Sequence, residues 1–409
     1  SLFFIVGRYS TVTAPALYGR PVNLYWDAQH LPNVAAMLAK VAPWWLIALM
    51  LIGVVGFFTL IVAALRWCLL RVATGLDTAA GRRAVGSFAA VAVATFALGT
   101  AFDWPIRHFF SQPVLDVYAE QIRFMVDARR GANADLPVLP LASTDLARAA
   151  NADVLTMFLE SYGAVTYDMP EIEGIGAPAR QAFGAAVEAG GRRVYSAYAE
   201  SPTFGGGSWL AHLSLMSGTE IRDPGDYAVL MTQKRDTLPK TFEAAGYHAI
   251  AVMPGMRNDW PEGAFYGFDA IYGEREVDYR GPEFGWWRIP DQFTFARVKS
   301  LAAESGGQHP LFLFLPTINT HIPFLPIPPY QPDWQRVQAA EPFAPADVSA
   351  SLGRVPDWMS LGRPYADSFV YTFEVLAGYL REMPDDAVLI LLGDHQPAAS
   401  VTGAGARWD

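Results

Sequence analysis

Six consecutive side chains, Ala387-Val388-Leu389-Ile390-Leu391-Leu392, carry no polar atom. An apolar run of that length suits a strand buried on both faces, as in a parallel sheet covered by helices. Val154-Leu155-Thr156-Met157-Phe158-Leu159 has the same character. The first run passes through Gly393 into Asp394-His395, and the second ends at Glu160. Ligands of open α/β sheets bind beyond the carboxyl ends of the strands. Two such strands deliver two carboxylates and an imidazole to one edge, and those donors together suit a metal ion.

From about Asn151 the pattern alternates strand and helix. Helices are expected over Pro178–Ala189, with Pro178 in the first helical position, and over Ser208–Ser217, Phe293–Glu304 and Tyr365–Arg381. A further helix over Thr237–Ala245 is closed by Gly246. Strands are expected over Arg193–Ala199, Ala249–Met253 and Leu311–Leu315. The alternation predicts an α/β domain over 151–409, a mostly parallel sheet with helices on both faces. Ile322–Gly362 is rich in proline and reads as a substrate-side loop or a surface excursion. The chain closes at Trp408-Asp409, where such a sheet is expected to continue, so the domain is expected to be truncated at its C-terminus.

Upstream the composition changes. Trp44–Leu65 holds no charge and is long enough to cross a bilayer, and Ala84–Phe102 is also uncharged. Ser1–Gly7 resembles the tail of another apolar segment, which suggests a fragment. The alternative for the long runs is core helices of a soluble protein. The membrane reading makes residues 1–105 a region with at least two spans, 44–65 and 84–102. Arg66, Arg71, Arg82 and Arg83 between them, against Asp77 alone, place that connection in the cytoplasm and everything after Phe102 outside. Trp44, Trp45 and Trp104 suit the interfaces. Arg8–Pro43 reads as a connector, Val114–Arg130 as an amphipathic juxtamembrane helix, and Gly131–Pro140 as a linker, within a 106–150 segment. Cys68 is the single cysteine, so the outer domain has no disulfide and no thiol nucleophile. The formal charge of −10 and the lack of a basic stripe exclude nucleic acid as a partner.

Thr203-Phe204-Gly205-Gly206-Gly207-Ser208-Trp209 lets the backbone approach a ligand and puts Ser208 at the start of a helix. The helix dipole there favours an alkoxide or a phosphoryl group, and a bound cation lowers the hydroxyl pKa further. A plain serine N-cap explains the same residue. His321, after the Leu311 strand, is placed to bind a phosphate or protonate a leaving group. Arg257 also follows a strand and suits bidentate phosphate binding, or else pairing with Asp259 or Glu262. His212 lies one turn beyond Ser208, on the substrate side or in the core. Trp209, Trp260, Trp286 and Trp287 suit a headgroup pocket or plain packing. Asp291 and Asp367 are further candidates for contacts around the site.

Leu159-Glu160-Ser161, the glycine turn into Ser208, Thr320-His321-Ile322-Pro323-Phe324 and Gly393-Asp394-His395 stand in the order found in sulfatase-like proteins of the alkaline phosphatase superfamily. Over about 150–409 the chain resembles the membrane-anchored lipoteichoic acid synthase and phosphoglycerol transferase group. The resemblance implies a divalent metal, manganese, magnesium or zinc, held by Glu160, Ser208, Asp394 and His395. It implies Ser208 as nucleophile, and His321 and Arg257 as phosphate contacts. That group uses threonine where Ser208 stands, and it often has an acidic residue at the place of His212. Ser208-Trp209-Leu210-Ala211-His212 lacks the proline and arginine of the sulfatase maturation motif, which argues against sulfate ester cleavage.

The expectation is therefore a multi-pass enzyme of the cytoplasmic (inner) membrane whose catalytic domain is extracytoplasmic, in the periplasm or cell envelope. It would move phosphoglycerol or phosphoethanolamine from a phospholipid donor to a glycan or lipid acceptor through a phospho-serine. One rival is a hydrolase with the same site, in which water replaces the acceptor. The other is a non-catalytic membrane protein whose outer domain binds a glycan or a partner. Should Ser208 prove dispensable, Thr203 and Ser201 are the next candidates for nucleophile.

Overall fold

The computed structural model describes residues 43–102 and 146–408, with interruptions at 232, 258–259, 261, 286, 305–308 and 404–405, and scattered positions elsewhere. Two units emerge, residues 1–14 with 21–130, and residues 15–20 with 131–409.

In the first unit α1 spans Trp44–Leu76 and α2 spans Ala79–Ala101. Thr78 caps α2 by accepting the Gly81 N–H at 3.0 Å. Among the described residues α1 is long and apolar enough to cross a membrane. At 1.5 Å per residue it measures about 50 Å, beyond the ~30 Å of a hydrocarbon core. Arg66 and Arg71 therefore lie on α1 and not in an inter-span loop. Trp67-Cys68-Leu69-Leu70 carries the helix onward, and no glycine intervenes until Gly75. Of the expected 114–130 helix, residues 117–119, 121–123, 125 and 126 are described, all helical. Trp104 and nearly all of the 1–7 tail, the 8–43 connector and the 131–140 linker lie outside the described residues.

The second unit holds β1 Val154–Leu159, β2 His248–Val252, β3 Ala270–Tyr272, β4 Leu311–Pro316 and β5 Val388–Gly393. They form a wholly parallel sheet in the order β3-β2-β4-β1-β5, with Met157 beside Leu315 on one side and Leu391 on the other. Side chains alternate between faces along a strand. Accordingly Leu155, Met157, Leu313, Leu315, Ile250 and Val252 enter one core, and Phe158, Phe312, Phe314, Ala249 and Ala251 enter the other. Helices α3 Pro170–Ala189, α7 Asp291–Glu304 and α9 Gly362–Tyr379 cover the first face. Helices α4 Ser208–Ser217, α5 Pro224–Met231 and α6 Leu238–Ala244 cover the second. The expected α/β architecture is present.

Several boundaries differ from expectation. Helix α3 starts at Pro170, which takes the first helical position, and Pro178 sits inside it. The helix, with Ile172 and Val187 buried, therefore begins about two turns earlier than Pro178 suggested. Residues 193–199 form no strand; Val194, Tyr195 and Tyr198 are exposed, so their alternation has no sheet to enter. Strand β5 is not buried on both faces, because it pairs with β1 alone and leaves Val388 and Ile390 more than 40% exposed. Three-residue β3 escapes detection by periodicity. Helix α8, Pro345–Leu352, lies inside the stretch read as irregular.

Candidate metal centre and nucleophile

Parallel strands all point their carboxyl ends the same way, so Glu160 after β1 and Asp394-His395 after β5 emerge side by side. Their approach needs a glycine. A Cβ on Gly393 would sit 1.7 Å from the Tyr162 carbonyl oxygen. Ser161 adopts φ 57°, and its N–H donates to Asp394 Oδ1 at 2.7 Å while its hydroxyl donates to Glu160 Oε1 at 2.8 Å. The Glu160 backbone is held as well. Its N–H donates to Thr317 Oγ1 at 3.0 Å, and its carbonyl accepts from Thr320 Oγ1 at 2.5 Å.

The nucleophile candidate arrives by a different route. Gly205, Gly206 and Gly207 have φ of 68°, 141° and 82°, all in the region that favours glycine. The turn is tied to the segment after His395, since the Gly205 N–H donates to the Gln396 carbonyl at 3.0 Å. It places Ser208 as the first residue of α4. Ser208 Oγ lies 3.0 Å from Glu160 Oε2, to which it donates, and 3.1 Å from His395 Nε2. The serine is thus bonded inward across the cluster rather than capping its own helix, for which no side-chain bond is present.

Glu160, Asp394 and His395 present ligand atoms within 4.8 Å of one another, and all three residues are buried. The donor set fits a divalent metal. Asp394 Oδ2 is buried with no hydrogen-bond partner among the described residues, and a buried carboxylate oxygen is costly to leave so. His395 Nδ1 is 2.7 Å from the Gln396 carbonyl, so it carries the proton and leaves Nε2 with a lone pair. Glu160 and Asp394 with His395 are then the residues to hold an ion, with Ser208 Oγ beside them.

Charges within the cluster are strongly coupled. Burial works against ionised Glu160, but His395, His321 and the Ser161 hydroxyl outweigh it and pull its carboxyl down to about 2. Burial, reinforced by the Glu160 charge, pushes Asp394 up to about 7. Burial also opposes a charged His395, and the two neighbouring carboxylates overcome it and raise its pKa.

The remaining candidates divide. His321 stands near enough to Glu160 to lower its pKa, and its ring meets Trp287 edge-on at 5.1 Å. Arg257 lies 6.0 Å from the same indole and donates to Glu274 Oε2 at 2.9 Å. Glu274, not named by the sequence reading, is a carboxylate partner, while Asp259 lies outside the described residues, as does Trp286. His212 is buried against Phe158 at 4.4 Å and Phe314 at 5.4 Å, and burial lowers its pKa to about 3. It is a neutral core histidine under the sheet. Trp209 packs on Tyr227 of α5, and Trp260 on Tyr266. Asp367 pairs with Arg354 and Arg363 away from the cluster. Ser201 Oγ donates to the Asp394 carbonyl at 2.5 Å, a supporting position. Thr203 is buried. Sequence reading gave no role to four supporting residues: Thr317 and Thr320 hold the Glu160 backbone, Ser161 bonds the Glu160 and Asp394 carboxylates, and the Gln396 carbonyl meets His395 Nδ1 and the Gly205 N–H. A cavity of about 1140 Å³ is lined by residues of β5 together with Asp394, His395, Tyr162, Tyr167 and Arg180.

The class so defined is a parallel α/β domain with a serine, a histidine and two carboxylates gathered at the carboxyl edge of its strands. Residues 211–408 match the family described as Sulfatase. The matched stretch contains Arg257, His321, Asp394 and His395; Glu160 and Ser208 precede it. Similar solved structures include the lipoteichoic acid synthase LtaP from Listeria monocytogenes, at 14% identity, 66% of this chain, 62% of that one and a TM-score of 0.42. Another is a protein in the alkaline phosphatase superfamily from Vibrio parahaemolyticus, at 16%, 60%, 55% and 0.40. The chain thus spans less than two thirds of each. No curated protein matches it.

Proposed function

We propose that the protein is a membrane-anchored, metal-dependent transferase acting outside the cytoplasmic membrane. It moves phosphoglycerol or phosphoethanolamine from a phospholipid to a glycan or lipid acceptor. The observation that supports this reading above the others is the placement of Ser208 Oγ, 3.0 Å from a carboxylate oxygen and 3.1 Å from an imidazole nitrogen. A serine serving as a plain cap has no reason to face two ionisable groups.

In the proposed reaction Ser208 Oγ gives up its proton to solvent and attacks the phosphorus of the lipid phosphodiester. The bond from phosphorus to the diacylglycerol oxygen breaks, and His321 supplies the proton that this oxygen takes up. The resulting phospho-serine is then attacked by the acceptor hydroxyl, whose proton goes to His321 and restores it, while the bond from phosphorus to Ser208 Oγ breaks and Oγ recovers a proton from solvent. Glu160, Asp394 and His395 would hold a divalent ion, which would supply positive charge toward the phosphoryl oxygens. Helix α1 gives the domain its tether near a lipid donor.

The test is incubation of the purified full-length protein with phosphatidylglycerol labelled in the headgroup, with and without candidate acceptors. Label on a lipid or glycan product supports transfer. Label released only as free glycerol phosphate assigns a hydrolase instead. A protein that binds no divalent metal and is indifferent to chelator is neither.

A further inference from the structure

A carboxylate outside the cluster joins the two segments that flank His321. Asp291 opens α7 and is 1% exposed. Its Oδ1 accepts the Ile318 N–H at 2.8 Å, and its Oδ2 accepts the Asn319 N–H at 3.0 Å. Asn319 reciprocates. Its Oδ1 accepts the Asp291 N–H at 2.6 Å, and its Nδ2 donates to the Ile289 carbonyl at 3.1 Å. A carboxylate that merely capped α7 would face its own helix and stay in water. Here both oxygens turn to a loop 27 and 28 residues away, and burying a charge for that purpose is costly unless the bonds are needed.

What the loop carries explains the need. Thr317 and Thr320 grip the Glu160 backbone from its two ends, and His321 follows directly. On the other side of the clasp, Trp287 stands two residues before Ile289 and lays its ring against His321. We propose that Asp291 and Asn319 form a clasp that positions His321 beside Glu160, so that Asp291 is a positioning residue and not a substrate contact. The inference rests on the proton-donor role given to His321 above.

Selective carbon-13 labelling of the seven histidines in the full-length protein provides a readout that needs no substrate. The His321 signal is assigned by its loss in His321→Gln. Its ring lies against an indole, so its shift reports that contact. In Asp291→Ala and in Asn319→Ala the His321 signal moves, while that of His248, at the far end of β2, stays. In the same variants kcat on labelled lipid falls about tenfold to a hundredfold, with KM and bound metal unchanged. An unmoved His321 signal in both variants overturns the clasp. A moved signal with unchanged turnover upholds the clasp and removes His321 from the reaction. If every histidine signal moves in Asp291→Ala, the milder Asn319→Ala decides.

Discussion

Ser208 can be altered without disturbing what surrounds it, because Ser161 and the Thr317–Thr320 loop hold Glu160 independently. Ser208→Ala is expected to cost turnover on the order of a thousandfold or more, while elemental analysis still finds the metal. Retained activity would shift attention to other hydroxyls. The cluster also dictates a pH dependence. Asp394 is pushed up to about 7, so below that pH the metal-free protein holds a proton on a required ligand. Raising the pH removes that proton and the one held by His395, whose pKa is also raised, so metal affinity rises with pH through neutrality. The slope is on the order of tenfold per pH unit for each proton displaced. Calorimetric titration in two buffers of different ionisation enthalpy measures the released proton directly; affinity that is flat across the acid-to-neutral range would count against Asp394 as a ligand.

The elements that carry the site differ in how visible they are along the chain. Strands β1 and β4 announce themselves because both faces are buried, which removes polar residues from the run. Glu160 was legible for the same reason, as the first polar residue after such a run, and Asp394-His395 because the β5 run is apolar even though one of its faces is partly exposed. The Thr317–Thr320 grip was not, and Asp291 was named only as a candidate for contacts around the site, because the partners lie 27 to 160 residues away and hydrogen bonds leave no periodic trace. The 193–199 stretch misled because alternation records only a choice of faces, and there neither face is covered. The glycines support a contrast that stability and activity assays can separate. Gly393→Ala drives a methyl into the Tyr162 carbonyl and is expected to destabilise by about 3 kcal/mol or more, at the severe end of overpacking. Gly206→Ala meets open space, so its cost is backbone strain alone, roughly 1–2 kcal/mol. That variant is expected to fold and bind metal, yet to lose activity through a displaced Ser208. Chemical denaturation measures the first quantity and turnover the second; a Gly206→Ala protein with full activity would mean the turn tolerates repositioning.

At the scale of the whole molecule the question is which side of a membrane the α/β domain occupies, and the single cysteine can answer it. Cys68 is exposed on α1. The hydrocarbon core takes about 20 residues of helix, which the uncharged stretch from Trp44 to Leu65 supplies. Arg66 and Arg71 on α1, and Arg82 and Arg83 near the start of α2, then gather just past the end of that stretch, and such clusters favour the cytoplasmic face. Cys68 sits among them. In intact cells a membrane-impermeant maleimide added outside is therefore expected to leave Cys68 unlabelled, and permeabilised cells are expected to label it. A cysteine introduced on the exposed loop at Met359, 93% accessible in the α/β domain, should show the opposite pattern in a Cys68→Ser background. The contrast follows from the proposed path of the chain: if α1 and α2 are consecutive spans, everything after Phe102 lies on the face opposite the arginines. Labelling of Cys68 from outside would reverse that orientation and deny the site an extracytoplasmic acceptor. Labelling of both cysteines from one side would mean that α2 does not cross.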